Sequence, residues 1–240
     1  MVRAQAGMET LLLLRNGEQL LLTLIIPTLL LVLGGTLPII DVDAGARIDF
    51  VAPGVLALAV MSTAFTGQAI ATGFERRYDV LKRLGATPMP RWALLAGKTA
   101  AVLAVEVLQI TVLVAVALAL GWSPATSPAG LATSLLLLLL GTAAFSGLGL
   151  LLAGTLRAEA TLAAANLVYV LLLVAGDVIV PVTAFPDVVR PLLEALPLTA
   201  LAGGLRDVLA GGPTPWVAVA VLAAWAVAGC TAAAAAFRWE

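Results

Sequence analysis

Near the middle of the apolar stretch Ala93–Gly121 stands one acidic residue, Glu106, with Gln109 three positions on and therefore on the same side of a helix. An ionised group at bilayer depth costs about 2.5–3.5 kcal/mol on insertion scales. Glu106 therefore either lines a polar transport path or a gate between subunits, or packs against another helix as a protonated or hydrogen-bonded carboxyl. Gly97-Lys98-Thr99 resembles the tail of a phosphate-binding loop, G-x-x-x-x-G-K-[ST], but Trp92 occupies the position of the first glycine and no strand precedes it. Lys98 is read instead as a snorkelling anchor near a span end. Ala144-Phe145-Ser146-Gly147 has the outline of an intramembrane protease G-x-S-G, with Ala144 in place of the first glycine. The sequence contains no histidine to activate Ser146 or to hold zinc. Proteolysis and metal-dependent hydrolysis are not expected, and Gly147, Gly149 and Ala153 are read as small residues that let helices approach. Cys230, the one cysteine, is read as another small packing residue.

The elements that carry these residues are dictated by composition. Of 240 residues 62% are hydrophobic and 11% charged, against about 25% charged in an ordinary soluble domain. The apolar residues gather into runs that reach the roughly 20 residues a membrane helix needs. Six spans are predicted, about 20–37, 51–73, 93–121, 129–154, 161–180 and 216–237, which makes an all-α membrane protein with a single transmembrane domain over 1–240. Net charge is −1, which offers no attraction for nucleic acid. On this six-span map ten of the 13 Lys and Arg residues fall on the side of the termini, and only Arg47, Arg190 and Arg206 on the other. The positive-inside bias then puts both termini in the cytoplasm. No cleaved signal peptide is expected, because the first long apolar run is followed by more of the same. Trp92, Trp122, Trp216 and Trp239 stand at span ends as interfacial anchors.

Three segments depart from an up-and-down bundle. Met8, Leu11, Leu12 and Arg15 suit a short amphipathic helix at the inner interface, or an extension of the first span. Between the second and third spans Phe74, Tyr78, Leu81 and Leu84 recur at helical spacing while Arg76, Arg77, Lys82 and Arg83 take other faces, and Gly85 and Pro88 can stop the helix. This amphipathic cytoplasmic helix either docks on a partner or is an ordinary positive-inside loop. Finally, Pro181 to Pro213 is long and apolar for an outer connection, and Pro181, Pro186, Pro191 and Pro197 cut it into short pieces that suit helices dipping into the outer leaflet. Asp177 lies just before it and is read as interfacial.

Two of these segments carry a family resemblance. Phe74-Glu-Arg-Arg-Tyr-Asp-Val-Leu-Lys-Arg-Leu-Gly-Ala-Thr-Pro and the basic helix start after it, together with Leu196-Pro-Leu-Thr199 followed by Gly204-Leu-Arg206, resemble the type 2 ABC exporter permeases. The resemblance implies that Phe74, Glu75, Arg76, Arg77, Tyr78, Leu81, Lys82, Arg83 and Leu84 form a coupling helix on a separate ABC ATPase subunit. It likewise implies that Pro197, Thr199 and Arg206 belong to an outer re-entrant segment. ATP and magnesium would then be bound by the ATPase and no cofactor by this chain. A second permease, identical or not, would complete the machine in the plasma membrane, and the substrate would be an amphipathic drug, lipid or glycan precursor moved outward. Glu75 is followed by two arginines and Tyr78 where many relatives carry glycine and threonine. The competing classes are an ion-coupled secondary transporter, for which no inverted repeat is visible, and a non-transporting membrane assembly subunit.

Overall fold

The structure, a computed structural model, describes residues 2–15, 17–37, 47–85, 90–125 and 127–236. Pro88, Phe237 and Trp239, to which the sequence assigns a helix stop, a span end and an anchor, lie outside these residues. Every regular element described is helical, the only open-chain form that keeps all backbone groups paired in hydrocarbon. In chain order they are α1 (Val2–Arg15), α2 (Gly17–Thr36), α3 (Arg47–Met61), a π-helical segment (Ser62–Gly67), α4 (Gln68–Arg77), α5 (Val80–Gly85), α6 (Arg91–Ala119), α7 (Pro128–Thr155), α8 (Ala158–Ala175), a 3₁₀ turn (Val182–Ala184), α9 (Arg190–Glu194), α10 (Pro197–Leu209) and α11 (Trp216–Ala236). Among the described residues five helices are long and apolar enough to cross a membrane: Arg47–Arg77, Trp92–Ala119, Pro128–Thr155, Ala158–Ala175 and Trp216–Ala236. The remaining expected span falls on α2, whose apolar stretch by the same measure is the shorter Thr23–Thr36.

Local chemistry explains where several helices start. Ser127 accepts the Gly130 N–H on its hydroxyl at 3.1 Å and Pro128 follows as the first residue of α7, which supplies a cap where amides lack partners and a ring already bent to helical φ. Pro197 likewise opens α10, there after Leu196 and without a side-chain cap.

The middle of the molecule is α3, in which Val51 to Met61 are all buried, with α2, α6, α7 and α10 around it. Small residues set the closest approaches. A Cβ on Gly147 of α7 would stand 2.6 Å from the Cys230 nitrogen and the Gly229 carbonyl carbon of α11, so these two helices cross in backbone contact. Two residues further along α7, a Cβ on Gly149 would meet the Phe65 oxygen at 2.8 Å. Gly149 thus gives room to the carbonyls of the π-helical segment, a wider turn of the kind common at functional sites.

Four expectations need correction. The cytoplasmic helix is not continuous from Phe74 to Leu84: the second span runs on to Arg77, Tyr78 and Asp79 form a turn with Asp79 at φ 58°, and α5 starts afresh at Val80. A left-handed residue cannot propagate a right-handed helix. The fifth span ends at Ala175 rather than at Val180, because the chain bends after it and Asp177 also takes a left-handed φ of 60°. Trp122 is buried, while Trp92 and Trp216 are exposed as anchors would be. Lys98, read as snorkelling, is 4% exposed and held inside the protein.

Candidate functional site

At one end of the bundle the α4–α5 corner sorts its residues into two groups. Arg76 turns inward and donates to the Ala153 and Leu156 carbonyls at 2.9 and 2.8 Å, which neutralises the partially negative C-terminal end of α7. Arg77 pairs with Glu159 at the start of α8. Leu81 is fully buried with Leu94, Leu95, Leu150 and Ala233. These three residues fasten the corner to its own chain. Phe74 and Tyr78 stack with ring centroids 6.3 Å apart. Tyr78 is 66% and Val80 41% exposed, and Lys82 and Arg83 are exposed beside them. The side chain of Leu84 lies outside the described residues. Hence the apolar stripe expected of this segment is divided, with Leu81 in the core and Tyr78 outside, and Val80 takes the outer place that sequence spacing assigned to Leu81. The turn at Asp79 produces that exchange, and nothing in the periodicity announces it.

Directly above the corner, in the direction of the bundle, Lys98 places its ammonium 2.6 Å from Glu75 Oε2 and 2.9 Å from Glu9 Oε1. Gln5 donates to the same Glu9 oxygen at 2.8 Å. Beside this group is a cavity of about 50 Å³ lined among others by Thr63, Gln68, Thr72, Glu75 and Lys98. One probe-sized volume of about 10–15 Å³ suffices for a water, so the cavity has room for several. Gln68 Nε2 and Thr72 Oγ1 are buried without a protein partner among the described residues, and both residues line it.

Further in, polar side chains tie α6 to its neighbours. Ser146 donates to Gln68 Oε1 at 2.8 Å and stands 2.6 Å from the Thr99 hydroxyl. It joins three helices and faces no base, in keeping with a packing role. Gln109 accepts from Thr63 at 2.9 Å and donates to the Thr23 carbonyl at 2.6 Å, linking α6 to the π-helical segment and α2. Glu106, 2% exposed, bonds instead to α7, where the Thr142 hydroxyl is 2.6 Å from Oε2. Its second oxygen has no partner among the described residues. The two residues thus share the buried side of α6 but serve different helices.

At the opposite end Arg206 of α10 pairs with Asp177 and donates to the Asp177 carbonyl at 2.9 Å. Its guanidinium lies 3.9 Å over the Phe50 ring, and Asp177 also accepts the Val182 N–H at 2.9 Å. One arginine therefore joins α10, the bend after α8 and the start of α3. Thr199, 6% exposed, faces the Ala175 carbonyl two residues after Pro197. A groove of about 430 Å³ opens here between α10, α11 and the 3₁₀ turn. Asp177, 8% exposed, is thus a buried structural partner at this end of the bundle.

When the sequence is compared with known proteins, the family model described as ABC-2 type transporter matches residues 4–210. No curated protein matches the chain. The matched stretch runs from α1 to the end of α10 and so contains the α4–α5 corner, Glu106 and α10.

Proposed function

The chain belongs to the ABC-2 type transporter family and is a membrane permease of an ABC transporter; from that premise we propose that it works as the permease subunit of an ATP-driven exporter. In this reading six spans, α2, α3 with α4, α6, α7, α8 and α11, cross the plasma membrane with both termini in the cytoplasm. The α1 helix lies at the inner interface, and α9 and α10 lie at the outer side, with α10 re-entrant. A separate cytoplasmic ATPase binds ATP and magnesium, and a second permease, identical or related, completes the pair. No cofactor is held by this chain. The substrate is amphipathic, a drug, lipid or glycan precursor. Its outward direction is inferred from the resemblance.

The observation that carries the reading is the family match together with the inner corner. Tyr78, Val80, Lys82 and Arg83 project from a turn that Arg76, Arg77 and Leu81 lock to α7, α8 and the core. A rigidly seated corner with an apolar centre and a basic rim suits a docking partner, and force applied there reaches the spans directly. A bound nucleotide can drive a switch only by favouring one of two states, and ATP on the partner would do so through this corner.

The proposed layout makes a labelling prediction. In a Cys230→Ala background, cysteine at Val188, 91% exposed and external in this layout, should react with an impermeant thiol reagent on intact cells. Cysteine at Lys82 should react only after lysis. Labelling of position 82 on intact cells with position 188 protected would reverse the orientation.

Glu106 is proposed to line the path or a gate, since its carboxyl is buried with one oxygen unpaired by the described protein groups. Glu106→Gln keeps the shape and the Thr142 contact while removing the ionisable group. In vesicles containing permease and ATPase, ATP-dependent movement of a fluorescent amphiphile should fall several-fold with assembly unchanged. Equal transport by both forms would leave Glu106 as a packing residue.

A further inference from the structure

Although α1 has the composition of a surface helix, its orientation is unusual for one. Gln5 and Glu9 face the protein and are 5% and 7% exposed, whereas Met8, Leu11 and Leu12 point away with 45%, 55% and 58% exposed. The polar side is thus the docked side, and the apolar side is left for lipid. At Gly97 of α6 a Cβ would stand 2.7 Å from Gln5 Cγ, so α1 rests on the α6 backbone and the next residue, Lys98, is brought against Glu9. We propose that Lys98 is a positioning residue for energy coupling. By clasping Glu9 of α1 and Glu75 of the inner corner, it makes α1 travel with that corner when the ATPase moves it. The inference rests on the ATP-driven reading above.

The physical basis is the cost of a buried charge. An ammonium 4% exposed is tolerable only when paired, and here one cation serves two carboxylates from different helices. Glu9 contacts are completed by Gln5 on the same helix, so the clasp supplies the ionic tie between α1 and the rest of the protein among the described residues. Removing the lysine leaves the Glu9 and Glu75 carboxyls facing one polar pocket with no cation between them, so nothing ionic holds α1 to the corner. The adjoining cavity, with Gln68 Nε2 and Thr72 Oγ1 unpaired on its wall, gives water access to the carboxylates once they part. The clasp therefore holds α1 in register without sealing it into an apolar core. The second consequence is mechanical. The corner is joined to α7 and α8 through Arg76 and Arg77, and through Glu75 and Lys98 the same rigid unit extends to a helix whose apolar side meets the inner leaflet.

The test uses the assembled permease–ATPase complex in lipid, with Cys230→Ala and spin labels on cysteines at Met8 in α1 and Thr155 beside the corner. A second pair, Thr155 and Val188, reports whether ATP trapping moves the corner at all. With Lys98 present, the Met8–Thr155 distance should be narrow and identical with and without trapped ATP, while Thr155–Val188 changes. Lys98→Met should broaden the Met8–Thr155 distribution to about twice its width, and Lys98→Arg, which keeps the charge, should restore it. If Lys98→Met does not assemble, Glu9→Gln cuts the same tie from the α1 side and should broaden it likewise. An unchanged width in an assembled Lys98→Met or Glu9→Gln complex overturns the proposal, as does a Met8–Thr155 distance that shifts with ATP in the unsubstituted protein. A Thr155–Val188 distance indifferent to ATP in that protein would instead remove the ATP-driven reading itself.

Discussion

Replacing Arg206 with alanine is expected to destabilise the protein by about 3 kcal/mol, at the low end of the cost of breaking a buried ion pair. The low end applies because Arg206 keeps 20% and Asp177 11% of its side chain exposed. Three losses combine in that figure: the pairing with Asp177, the bond to the Asp177 carbonyl, and the contact with the Phe50 face. Alanine also leaves Asp177 as an uncompensated carboxylate in a nearly closed site, which is the larger part of the penalty. Asp177 cannot easily turn away, since its backbone is fixed at a left-handed φ and its other oxygen holds the Val182 amide. Thermal unfolding in detergent is the measurement. Arg206→Ala should lower the midpoint most, and the pair Asp177→Asn with Arg206→Gln, which removes both charges and keeps hydrogen-bonding groups, should recover part of the loss. A midpoint unmoved by Arg206→Ala would mean that the guanidinium does not organise this end of the bundle.

That arrangement shows what can and cannot be seen in a linear reading. The long Leu- and Ala-rich runs state their own helices, because in lipid a run of that length has few other forms, and α6, α7 and α11 begin and end within a few residues of expectation. Proline spacing likewise marks the broken segment before the last span, where α9 and α10 stand. Pairings across sequence are another matter. Arg206 reaches Asp177 and Phe50, and no local pattern connects those positions. Lys98 shows the same limit, since a lysine near a span end is ordinarily a snorkelling anchor, and only the crossing of α1 over Gly97 turns it inward. Glu106 and Gln109 share a helix side in any projection, yet Glu106 meets Thr142 of α7 while Gln109 meets Thr63 and the Thr23 carbonyl of α2. The divided corner is a case of backbone overriding periodicity: Tyr78 and Leu81 keep helical spacing in the sequence, and the left-handed Asp79 between them puts one outside and one in the core.

The second large effect concerns that corner. Among the described side chains Tyr78 and Val80 are the exposed apolar groups on it, with Lys82 and Arg83 at their side. An interface centred there should lose most of its energy when the apolar centre becomes acidic, whereas rim charges mainly alter encounter. Tyr78→Asp combined with Val80→Asp should therefore reduce ATPase recovery about tenfold or more without loss of permease from the membrane. Leu81→Asp should act differently. A carboxylate in the closed cluster with Leu94, Leu95, Leu150 and Ala233 has no partner to compensate its desolvation, so the amount of folded permease falls first and any loss of ATPase follows from it.

The direct measurement is affinity recovery of the cytoplasmic ATPase from membranes carrying matched amounts of each permease. The unsubstituted chain is predicted to retain the ATPase, and the Tyr78→Asp, Val80→Asp variant to release it while keeping the same unfolding midpoint. ATPase recovered equally by both, or by neither, would contradict a permease driven through this corner.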